Sequence, residues 1–91
     1  MIQQTIQVVN KLGLHARAAA KLVRLASRYS SDVFLSREGA AQQTDSKSIL
    51  GVLMLGASQG TLLVVSIDGP DETEAAEEIR RLFEQKFGED N

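Results

Sequence analysis

His15 is the one histidine in this 91-residue chain, and the chain has no cysteine. It lies in the run Gly13-Leu14-His15-Ala16-Arg17. A neutral imidazole carries an in-plane lone pair and is a competent nucleophile near neutral pH. The residues before it alternate as a strand does, and those after it follow a helical period. His15 is therefore expected at a helix N-terminus, where unpaired backbone N–H groups and the helix dipole favour an anion. The amides of Ala16, Arg17 and Ala18 are the backbone donors expected there. Arg17 adds a guanidinium able to grip phosphate oxygens. Nucleophile, positive helix end and arginine together make a minimal site for holding a phosphoryl group on nitrogen.

The elements that must position this site can be read in order. Ile2, Gln4, Ile6 and Val8 alternate with Gln3, Thr5, Gln7 and Val9, predicting a strand over 2–9 with one buried face; Gln4 is the misfit on that face. Asn10 to Gly13 supply turn formers. A helix is expected over 16–28, with Ala16, Ala19, Ala20, Val23 and Ala26 as its packing stripe and Lys21, Arg24 and Arg28 on or beside the opposite face. Strands follow at 32–37 and, weakly, at 41–44, joined by the turn Glu38-Gly39-Ala40. The nearly continuous apolar run 49–55 is predicted as a short helix capped by Ser48 or Ser46, with some of its apolar side chains exposed as a docking patch. Periodicity alone leaves a buried strand or core helix open for that run. A central strand over 61–67 leads through Asp68-Gly69-Pro70 into a helix that buries Ala75, Ala76, Ile79, Leu82, Phe83 and Phe87. This β-α-β-β-α-β-α order predicts one α+β domain over 1–91, its antiparallel or mixed sheet covered by helices on one face.

Composition removes other classes of function. Thiolate metal sites and cysteine nucleophiles are impossible, and one histidine leaves no ordinary metal-ligand set, so neither metal nor cofactor is expected. The start of the chain shows no signal-peptide pattern and no apolar run is long enough to span a bilayer, so a cytoplasmic protein without membrane insertion is expected. The formal net charge of -2 hides an asymmetry: residues 1–31 hold five bases and no acid, whereas residues 68–91 hold nine acids against three bases. A basic first helix beside His15 should steer an acidic partner toward it. Nucleic acid is not expected, because the basic patch is small and aromatic residues are few. There is no Gly-rich nucleotide loop and no second acid or base next to His15 in the sequence, which argues against a self-contained enzyme.

The run Asn10-Lys11-Leu12-Gly13-Leu14-His15-Ala16-Arg17, followed by an alanine-rich helix, resembles the active-site segment of HPr-type phosphocarrier proteins. The run Lys47-Ser48-Ile49-Leu50-Gly51-Val52-Leu53-Met54-Leu55-Gly56 is similar to the second signature of that family. The resemblance covers essentially the whole chain. It implies an open-faced β-sandwich of four antiparallel strands, with two long helices and one short helix packed on one side. It also implies that His15 accepts a phosphoryl group from phospho-enzyme I, on Nδ1, and passes it to an EIIA-type acceptor protein as a stoichiometric carrier. Arg17 would stabilise the phosphoryl group. Ser48 matches the serine phosphorylated in many members by an HPr serine kinase/phosphatase. A histidine at a helix start could be incidental; Arg17 and the second signature weigh against that.

Docking is expected over Leu14, Lys21, Arg24, Lys47, Ile49, Leu50, Val52 and Leu53, with the protein acting as a monomer. A phosphate on Ser48 would be tolerated by the helix dipole while adding about two negative charges beside the apolar patch. The family pattern usually has proline directly after the arginine, where this chain has Ala18. Alanine keeps the helix and restores an amide N–H, so carrier function should survive. Two rivals remain. One is a nitrogen-type regulatory carrier of the same family, favoured by the Asn10 to Gly13 lead-in, the Leu53-Met54-Leu55 run and the 83–90 segment. The other is an interaction module in which His15 is inert.

Overall fold

The computed structural model describes residues 1–89. Four strands, β1 (Ile2–Gln7), β2 (Asp32–Arg37), β3 (Thr44–Asp45) and β4 (Leu62–Asp68), form one antiparallel sheet in the order β1-β4-β2-β3. Three helices, α1 (Ala16–Ala26), α2 (Ile49–Met54) and α3 (Glu72–Glu84), cover one face, and a 3₁₀ turn (Lys86–Gly88) follows α3. This is the open-faced sandwich that the resemblance implied.

The central strand is the most apolar one. β4 pairs with β1 on one side and β2 on the other, and its Leu63, Val65 and Ile67 are fully buried beside Ile6, Val33 and Leu35. Alternation along each strand puts these residues on the helix-covered face. Gln4, the misfit of β1, donates from its amide to the Ala76 carbonyl of α3 at 3.0 Å, so its polar end is satisfied against a helix.

The helices differ from expectation in detail. α1 stops at Ala26, because Arg28 and Tyr29 donate to the carbonyls three residues back and tighten the chain out of the helix. Its buried side is Ala18, Ala19, Leu22 and Ala26, while Ala16 is exposed. The packing stripe is thus rotated from the predicted one, with Leu22 at its centre. β1 ends two residues early, although Val8 still pairs with Thr61 and Gly60. β3 is only Thr44–Asp45, sharing Thr44 with the expected 41–44 and running one residue past it. Its pairing continues through Ser46, whose N–H and hydroxyl both donate to the Val33 carbonyl at 2.9 Å. Ser46 is therefore buried and takes no part in capping α2.

Two local contacts fix how the elements meet. Asp71, at the start of α3, accepts from the hydroxyl and N–H of Ser31 and from the N–H of Ser30, tying α3 to the α1–β2 turn. The Ser31 hydroxyl, then the Ser30 amide, hold its carboxyl down at about 2 against an ordinary 3.8. Gly13, at φ 66°, lies so close to the 57–58 segment that a Cβ there would sit 2.5 Å from the Ala57 carbonyl oxygen.

Two outcomes follow. A carboxyl depressed by folding contributes stability that is complete above the unfolded value and is lost as pH falls through the folded one. Urea midpoints of the protein should therefore drop between about pH 4 and pH 2, and Asp71→Asn should flatten that slope. Gly13→Ala combines a left-handed φ with a backbone clash and should lower unfolding free energy by more than about 1 kcal/mol in the same measurement.

Candidate functional site

The site starts in the 10–14 loop. Asn10 is fully buried and donates from its side-chain amide to the Gly13 carbonyl at 2.8 Å, while the Gly13 N–H donates back to the Asn10 carbonyl at 3.2 Å. The Leu14 N–H donates to the Ala57 carbonyl at 2.9 Å. These bonds deliver His15 in an extended conformation (φ -73°, ψ 176°) to the N-cap of α1, whose first helical bond runs from the Ala19 N–H to the His15 carbonyl.

An N-cap side chain normally accepts a hydrogen bond from the exposed amides of the first turn. Here the imidazole does so: Nδ1 accepts from the Arg17 N–H at 3.3 Å. The opposite ring nitrogen, Nε2, meets the carboxylate of Glu89. An acceptor at Nε2 and a donor at Nδ1 together assign the ring proton to Nε2 and the lone pair to Nδ1. The ring is about 29% exposed. The first turn of α1 contains no acid, so the positive helix end is left open to an anion. Arg17 is exposed beside it, and among the described residues no carboxylate pairs with it. Ala18, by contrast, is wholly buried against the core, so the expected trio of anion-facing amides reduces to those of Ala16 and Arg17.

Glu89 played no part in the sequence argument, and no spacing rule could have found it 74 residues from His15. Its other carboxylate oxygen accepts from Asn10 at 3.1 Å. The hydrogen bond from His15, and then that from Asn10, hold the Glu89 carboxyl below the usual glutamate range against the opposing effect of its partial burial.

The expected docking residues divide. Ile49, Leu50 and Leu53 are exposed on α2, as is Arg24 on α1. Val52 is completely buried and Leu14 nearly so; both belong to the core and present no surface. In the six-residue helix α2, position 52 is the one buried in the core, and Met54, 77% exposed, extends the outer apolar face in its place. Leu12, also exposed, lies in the loop tied to the segment just after α2. Lys21 and Lys47 are engaged internally: Lys21 donates to the Phe87 carbonyl at 2.6 Å and Lys47 to the Tyr29 carbonyl at 2.9 Å. Ser48 is the N-cap of α2, its hydroxyl accepting from the Gly51 N–H at 3.2 Å, and it is exposed. A Cβ on Gly51 would lie 2.6 Å from the Thr44 methyl, so any larger residue there would push the Thr44 side chain aside.

In this open-faced α+β sandwich the lone histidine caps α1, with the exposed Arg17 beside it. The family model described as "PTS HPr component phosphorylation site" matches residues 2–85. The phosphocarrier protein HPr of Xylella fastidiosa (strain Temecula1) is 49% identical over 90 residues, covering 99% of each chain. The phosphocarrier protein NPr of Klebsiella oxytoca is 36% identical over 89 residues, covering 98% of each. Among solved structures, HPr-C-His from Thermoanaerobacter tengcongensis superposes with a TM-score of 0.93 at 42% identity, covering 100% of both chains. The chain belongs to the HPr family of phosphocarrier proteins of the phosphotransferase system.

The division of α2 into an inner and an outer side can be checked directly. Val52→Asp buries an unpaired carboxylate and should abolish folding at room temperature, whereas Leu50→Asp should change unfolding free energy by no more than about 0.5 kcal/mol in urea titration.

Proposed function

We propose that His15 accepts a phosphoryl group on Nδ1 from phospho-enzyme I and passes it to an EIIA-type acceptor. The observation that carries this is the orientation of the ring, with its lone pair on Nδ1 at the open N-terminus of α1 and its proton on Nε2. In the forward step the Nδ1 lone pair forms the new bond to phosphorus while the bond from phosphorus to the donor nitrogen breaks, that electron pair leaving with the donor. The proton on Nε2 stays where it is. Phosphoryl transfer asks a protein mainly for positioning and for charge stabilisation at the equatorial oxygens. The Ala16 amide and the Arg17 guanidinium can meet those oxygens. The Arg17 N–H need only exchange a long 3.3 Å bond to Nδ1 for a charge-assisted one to phosphate, which is a favourable trade. The reverse step hands the group on, so the protein is a stoichiometric carrier rather than a catalyst.

The exposed apolar face of Ile49, Leu50, Leu53 and Met54, with Arg24 nearby on α1, supports docking of both partners in turn. Ser48 caps the helix that bears this face and is accessible to a serine kinase. A phosphate there keeps the favourable helix N-terminus but sets about two negative charges beside the apolar patch, weakening partner binding more than the fold. Traffic between such protein partners fits a cytoplasmic monomer. The higher identity to a protein named HPr than to one named NPr favours the sugar-type enzyme I as donor. The nitrogen-type enzyme I is the alternative to be run beside it.

Incubation with phosphoenolpyruvate, Mg²⁺ and enzyme I should add one acid-labile phosphate by intact mass. His15→Ala should add none. Absence of phosphate with both types of enzyme I would remove the carrier reading and leave an interaction module.

A further inference from the structure

The segment after α3 takes an unusual path to reach His15. Lys86, Phe87 and Gly88 all have positive φ, at 57°, 56° and 79°. For the two non-glycine residues this left-handed backbone is unfavourable, because Cβ crowds the following carbonyl oxygen. Three contacts hold it in place. Phe87 is buried and packs edge to face on Phe83 at 4.9 Å, its carbonyl accepts from Lys21, and Asn10 donates to Glu89. The product of this turn is a carboxylate placed on the Nε2 side of the one histidine.

We propose that Glu89 is a positioning residue for phosphoryl transfer, holding His15 as its Nε2–H tautomer and serving as the counter-charge when the ring becomes cationic. This rests on the carrier reading above. As Nδ1 gives its lone pair to phosphorus, positive charge spreads over the imidazole, and the proton on Nε2 becomes more acidic. The Glu89 carboxylate, fixed by Asn10 through its second oxygen, accepts the Nε2–H hydrogen bond before and after the step. No proton has to move. When the phosphoryl group leaves, the P–Nδ1 bond breaks with its electron pair returning to Nδ1, and the ring is again neutral with its proton still on Nε2. A carboxylate that orients a histidine and offsets its developing charge, without taking its proton, is the arrangement that serves the histidine of hydrolytic triads. Here the histidine is itself the nucleophile, and Lys21 supplies the anchor that keeps the turn closed.

Glu89→Gln retains the size of the side chain and removes its charge; Glu89→Ala removes the acceptor altogether. Nitrogen-15 NMR of the imidazole, at a pH where the ring is neutral, reports the tautomer without any phosphate present. The Nε2–H form should dominate in the protein and give way to a mixture in Glu89→Ala. Single-turnover phosphorylation by phospho-enzyme I should slow by about tenfold to a hundredfold in both variants, the size expected for losing a hydrogen bond to a charged group. A tautomer ratio unchanged in Glu89→Ala, or a transfer rate within about twofold in both variants, overturns the proposal. Failure of the protein itself to accept phosphate would instead count against the carrier reading, and the tautomer measurement would still decide whether Glu89 sets the ring.

Discussion

The contact on which the site depends is the cap that His15 makes at the start of α1. A short polar residue such as serine or asparagine would cap this helix at least as well. Using an imidazole instead fixes a nucleophilic nitrogen within one bond of the helix amides. Most of the surrounding structure can be understood as holding that cap. Buried Asn10 closes the loop on Gly13, and Gly13 lets that loop lie against the Ala57 carbonyl. Ala18 and Leu22 seat α1 on the core so that its first turn stays at the surface. The cap bond is long, which suits the proposed carrier role, in which it would be exchanged as the ring is loaded.

A second layer concerns the helix α2. Its six residues give one inward position, Val52, and several outward ones. Such a short helix cannot be stable alone. It is held by the Ser48 cap at one end and by Arg37 at the other, whose guanidinium donates to the Leu55 and Gly56 carbonyls at 3.0 and 2.7 Å. An apolar face can therefore remain exposed without loosening the helix that carries it.

The regular elements were legible in the sequence because each is driven by a periodic pattern or a cap: alternation in β1, β-branched density in β4, Ser48 before Ile49, and Pro70 with acids before α3. The candidate nucleophile was legible because it is the only histidine. What the sequence could not show are the contacts that join distant segments. Glu89 looked like one acid among nine in an acidic stretch, and nothing local distinguishes it until the left-handed turn at Lys86 and Phe87 brings it back. Phe87 belongs to the apolar stripe of α3 by spacing and is buried, yet it lies in the turn beyond the helix. Val52 and Leu14 were assigned to the surface because an apolar run does not state which member faces inward. Ala18 was assigned to the anion-binding backbone for a related reason, since the rotation of α1 is set by packing against the sheet.

The account places phosphorus on Nδ1 of His15 while the proton remains on Nε2 against Glu89. Phosphorus–nitrogen coupling in the nitrogen-15-labelled, phosphorylated protein tests this most directly. Coupling to Nδ1, with Nε2 still carrying its proton, is the result this account predicts. Coupling to Nε2, or a phosphate found on any residue other than His15, would contradict it.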